Sequence, residues 1–105
     1  MTITINKKKL VQRLKNYASQ IDYDAAKYQD FNFKVESFDK KNVLKHAKYM
    51  IETTIENIHS WPDHRLNRWL GFIQGVMWSQ GLNTLNDFRD DIRDILDHDR
   101  EHQSN

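Results

Sequence analysis

The stretch from Arg65 to Gln80 constrains this chain more than any other. An α-helix turns by about 100° per residue, so Leu66, Trp69, Leu70, Ile73 and Met77 share one face, and Phe72 and Val76 widen it. Trp78 points roughly half a turn of the wheel away from Trp69. A helix that is apolar on every side is a buried helix. This one is therefore expected at the centre of a bundle, too apolar for the surface of a monomer. Three or four short helices cannot surround it fully, and self-association is the expected cover for the remainder. Gly71, Gly75 and Ser79 recur every four residues and make a flat ridge. Each Gly costs about 0.8–1.0 kcal/mol in a helix relative to Ala. Close approach of another backbone is the physical reason to keep two of them. Gly71, Phe72, Gly75 and Ser79 are accordingly the residues expected at a close helix contact, within the chain or between copies.

The 105 residues are enough for one domain near the small end of the range that builds its own core. With 38% apolar and 30% charged residues, that core depends on its five Phe, four Tyr and three Trp. Leu10, Val11, Leu14, Tyr17, Ala18 and Ile21 recur at three- and four-residue steps, which predicts an amphipathic helix over 7–21. Val43, Leu44, Ala47, Met50, Ile51, Thr54, Ile55 and Ile58 predict a second over 39–59, with Asp39 as N-cap and Phe38 and Val43 as a hydrophobic staple. Pro62 opens the central helix, 62–80, and Gly81 suits a left-handed C-terminal cap. Thr84 and Asp87 form a capping pattern for a last helix over 84–98, whose stripe is Leu85, Phe88, Ile92, Ile95 and Leu96. Ile3 and Ile5 alternate with Thr, as Phe31, Phe33 and Val35 alternate with polar residues, and the two are expected to pair as short strands. The fold class is thus mainly α: three principal helices, an N-terminal helix and a short β pair. Residues 1–38 form a variable arm and helix, 39–98 the helical core, and 99–105 a frayed tail.

A net charge of +1 conceals two halves of opposite sign. Residues 1–50 hold eleven Lys/Arg against five Asp/Glu, and residues 51–105 hold five against ten. Lys40, Lys41, Lys45 and Lys48 crowd the N-terminal end of their helix, where the dipole disfavours cations. Either the halves complement each other within the fold or across an oligomer, or the basic half draws nucleic acid or phosphates. The acidic last helix argues against a nucleic-acid-binding regulator, since a recognition helix is basic. With no Cys, disulfides, thiolate metal sites and thiol catalysis are excluded. No secretory signal is visible near Met1, and Trp69 to Trp78 is too short for a membrane span, so a cytoplasmic protein is expected. His98, Glu101 and His102 match an H-x-x-E-H zinc pattern, but no third ligand or cleft accompanies them. No activated nucleophile, Gly-rich phosphate loop, metal site or cofactor motif is recognisable, and a non-enzymatic role is expected.

The polar residues of the central region carry the functional question. Arg65, Arg68 and Gln74 stand among aromatics, with Trp61 and His64 just upstream. A buried amide must find partners, and a guanidinium fork suits a carboxylate or a phosphate. In one reading both arginines pair with Asp87, Asp90, Asp91 or Asp94 of the last helix and Gln74 bonds backbone. In the other, Trp61, His64, Arg65, Arg68, Trp69, Gln74, Trp78 and Arg89 line a pocket where a Trp stacks on a base and Arg holds phosphate.

From Arg68-Trp69-Leu70-Gly71-Phe72-Ile73-Gln74-Gly75-Val76-Met77-Trp78 through Gly81 to Thr84-Leu85-Asn86-Asp87-Phe88-Arg89-Asp90-Asp91, the chain resembles a group of small tailed-phage proteins. They share an RWLGFxQGxxW…G…TLxxxRxxxR-like stretch. The likeness covers roughly Ala47 to Arg93, less than half of the chain, and is specific to that group. It implies a phage-encoded accessory protein made in the bacterial host cytoplasm. Size, architecture and context add the expectation of a homo-oligomer that counters host defence by sequestering a small nucleotide-type signal. A protein–protein inhibitor of a host enzyme or defence component is the alternative.

Overall fold

The structure, a computed structural model, describes residues 3–27 and 40–98. It is mainly helical: α1 (Lys7–Ser19), α2 (Lys40–Glu56), α3 (Asp63–Ser79) and α4 (Leu85–Ile95), with short strands β1 (Ile3–Ile5) and β2 (Leu96–His98) at the two ends. The apolar stripes become the core. Leu10, Leu14 and Tyr17 of α1, Leu44, Ala47 and Ile51 of α2, Leu66, Leu70, Ile73 and Met77 of α3, and Phe88 and Ile95 of α4 are all buried. α2 packs along α3, and α1 lies against both α2 and α4.

The ends of the helices follow their residues. Asn6 accepts the Lys9 amide at 3.1 Å and so caps α1. Gly81, at φ +77°, ends α3: its N–H donates to the Trp78 carbonyl at 2.9 Å and that of Leu82 to Met77 at 3.0 Å. This is the Schellman arrangement, and only Gly adopts it without strain. At α4, Thr84 Oγ1 accepts the Asp87 amide at 3.0 Å while Asp87 Oδ2 accepts the Thr84 amide at 3.1 Å. The Thr84 amide, and then the Thr84 side chain, favour the ionised form and hold the Asp87 carboxyl below the usual range.

Four expectations are corrected. α3 is not buried all round: Phe72 is 56% and Trp78 51% exposed, because the other elements cover only its Leu66/Leu70/Ile73/Met77 side. Gly71 and Gly75 are exposed, and a Cβ on either would meet nothing within 4 Å, so no other segment of the described chain approaches the ridge. The last helix stops at Ile95 instead of reaching 98, since Leu96–His98 turns extended and pairs antiparallel with Ile3–Ile5. The β1 arm thus finds β2. The Phe31–Val35 segment and the Phe38/Asp39 cap lie outside the described residues. Leu85, placed on the apolar stripe of α4, is 58% exposed at the helix start.

The opposite charges of the two halves meet inside the fold. Lys9 lies 3.4 Å from Asp94, and Arg13 lies 3.3 Å from Asp91 and 3.9 Å from Asp94. β1 is tied in as well: the Ile5 amide donates to Asp63 Oδ2 at 3.1 Å, and the Asn6 amide to the Ile95 carbonyl at 2.8 Å. No helix among the described residues is long and apolar enough to cross a membrane.

Candidate functional site

Tyr17 lies on the same stripe of α1 as Leu10 and Leu14 and is completely buried. A phenol there needs partners for its hydroxyl. It donates to Asp91 Oδ2 on α4 at 2.7 Å and accepts from Gln74 Nε2 on α3 at 2.9 Å. Its ring meets Phe88 of α4 edge-on, with centroids 5.7 Å apart and planes at 82°. Burial, and then the bond to Asp91, push the Tyr17 hydroxyl above its ordinary pKa, so it keeps its proton. Arg13, one turn earlier on α1, holds the far oxygen of Asp91. One side chain of α1 is therefore wedged between α3 and α4 and bonded to both.

The wedge sits beneath a groove of about 450 Å³ between these two helices. Gly71, Gln74, Gly75 and Trp78 line one side, and Leu85, Phe88 and Ile92 the other, with Arg89 and Arg93. The size falls within the ~300–1,000 Å³ of small-molecule sites. Trp78 and Leu85 are half-exposed at its borders, and Gln74 is only 5% exposed. Arg89 has no ion-pair partner among the described residues. Arg93 reaches Asp90 at 3.9 Å in an exposed pair, a contact worth ~0–1 kcal/mol at such sites.

The eight residues expected to share a pocket separate into three places. Gln74, Trp78 and Arg89 meet at the α3–α4 groove. Trp61, Arg65 and Trp69 form a cluster of their own: the two indoles lie 4.7 Å apart, and the Arg65 guanidinium rests 4.2 Å from the Trp61 ring. His64 and Arg68 stand exposed within about 40° of each other by helical geometry, on the same side of α3 as Gly71 and Gly75 but nearer its N-terminal end, and are not part of the groove lining. The cause is the helical step, which sets Trp69 and Trp78 on opposite flanks. Neither internal pairing expected for the polar residues occurs. The α4 acids meet Lys9, Arg13, Arg93 and the Thr84 cap, and no ion pair joins any of them to Arg65 or Arg68. Gln74 bonds the Tyr17 hydroxyl, not backbone.

Sequence reasoning missed Tyr17, Asp91, Phe88 and Arg93 as parts of the site. A signal for Tyr17 existed: a Tyr on an otherwise aliphatic core stripe requires a buried partner. A second hollow of about 380 Å³ lies on the other flank of α3, among Lys27, His46, Tyr49, Met50, Trp69 and Phe72. Burial, and then the charge of Lys27, lower the His46 pKa. No group of three or more His, Asp or Glu placed to hold a metal occurs among the described residues. No protein-family model matches the chain, no curated protein matches it, and no solved structure matches it.

Proposed function

We propose that the chain is a non-enzymatic binding protein whose α3–α4 groove holds a small anionic ligand of the nucleotide class. The observation that carries this reading is the meeting, in one open groove, of a half-exposed Trp78 ring with Arg89 and Arg93. Indole offers a stacking surface worth ~1–3 kcal/mol per base, and guanidinium groups suit phosphate oxygens. Such a ligand is held and released unchanged. In the setting that the phage-like stretch implies, holding it withdraws a nucleotide signal from a host defence system in the bacterial cytoplasm.

A second reading rests on a different observation. Gly71, Gly75 and Ser79 are exposed beside Phe72 and Trp78, and this small-residue ridge also fits a second copy of α3 or a host protein. The two separate in a thermal-shift panel of nucleotides. Ligand binding predicts a raised melting temperature that disappears in Trp78→Ala and Arg89→Ala and persists in Arg68→Ala. Recovery of the intact nucleotide after heat denaturation accompanies it. No shift with any nucleotide, together with a mass above one chain that falls on dilution, favours the ridge as a subunit contact.

A further inference from the structure

The hydrogen-bond chain under the groove fixes which way the Gln74 amide faces. Asp91, held by Arg13 at 3.3 Å, is an acceptor, and the Tyr17 hydroxyl donates a hydrogen bond to it at 2.7 Å. The Tyr17 oxygen is then left to accept, and Gln74 must offer it an N–H, which it does at 2.9 Å. The Gln74 carbonyl oxygen consequently turns the other way. It receives no hydrogen bond from any described residue, yet no buried side-chain oxygen or nitrogen among those residues lacks a partner, so this oxygen remains accessible. Gln74 is 95% buried, being 5% exposed, and lines the groove, so that is where its oxygen is reached.

We infer that Gln74 presents an oriented acceptor that selects ligands bearing an N–H donor on the edge of a flat ring, as the amino group of adenine does. The inference rests on the reading of the groove as a nucleotide site and deepens it. Trp78 supplies the stacking face and Arg89 and Arg93 the charge, none of which distinguishes one base from another. Gln74 is the group that does. Tyr17 is a positioning residue: it touches no ligand and acts by preventing the amide from turning over.

The test is calorimetric titration of the full chain with AMP and with purine riboside 5′-monophosphate, which lacks the amino group and keeps ring, ribose and phosphate. One neutral hydrogen bond corresponds to roughly a three- to tenfold preference for AMP. In Tyr17→Phe the amide is free to rotate, and in Gln74→Leu the acceptor is gone. The ratio falls toward one in both, and circular dichroism checks the fold of each. Should Tyr17→Phe not fold, the ratio in Gln74→Leu decides. Equal affinity of the wild type for both ligands overturns the selectivity and leaves the groove reading standing. A preference that survives both substitutions overturns it as well. Binding of neither ligand at millimolar concentration overturns the groove reading and this inference with it.

Discussion

Tyr17 is a residue whose ring and hydroxyl do different work. The ring fills space against Phe88, and the hydroxyl joins α1 to Gln74 and Asp91. Tyr17→Phe keeps the first and removes the second, leaving a buried amide N–H unpaired. Its expected cost is about 1–3 kcal/mol in urea unfolding. The pH dependence has a definite sign. The folded state holds the Tyr17 proton above the ordinary tyrosine value, while the unfolded chain releases it near ~10. Stability from this group is therefore complete below that pH and declines as pH rises beyond it. Alkaline titration followed by tyrosinate absorbance and near-UV dichroism should show Tyr17 ionising only as tertiary structure is lost. At this scale the sequence showed that Gln74 needed a partner. It could not show which, because Tyr17 is 57 positions away.

Among the elements, helix ends were legible and helix surroundings were not. Thr84, Asp87 and Gly81 act through neighbours a few positions off, so their types announce their roles. Thr84→Ala is expected to lose about 1 kcal/mol of stability with its cap. Gly81→Ala loses roughly 1–2 kcal/mol by forcing a Cβ into the left-handed region at φ +77°. Gly75→Ala has the opposite sign in the isolated chain. Its Cβ meets nothing within 4 Å, so helix propensity alone operates and thermal unfolding should show a gain of about 0.8–1.0 kcal/mol. The same methyl group intrudes on the groove and should weaken ligand binding. Where long-range pairing decides, local pattern misleads: Leu96–His98 continues the α4 periodicity but is claimed by β1.

For the whole molecule, the charge asymmetry of the sequence resolves into α1 meeting α4, and the basic half is in part a structural counterion for the acidic one. The apolar excess of α3 resolves differently. Its inner face builds the core, and its outer flanks leave Phe72 and Trp78 half in solvent. The groove beside Trp78 was only partly legible, since Gln74, Trp78 and Arg89 could be picked out by type. Their separation from Trp61, His64, Arg65, Arg68 and Trp69 depends on where α4 and Tyr17 sit. The proposed site for a nucleotide-class ligand is this groove and not the N-terminal half of α3 around His64 and Arg68. Native mass spectrometry of the full chain taken from bacterial lysate, and then titrated with nucleotides, tests it most directly. A nucleotide-sized mass is expected on each chain, lost in Trp78→Ala and Arg89→Ala and retained in Arg68→Ala. Bare chains from lysate that stay bare with nucleotides at millimolar concentration would contradict it.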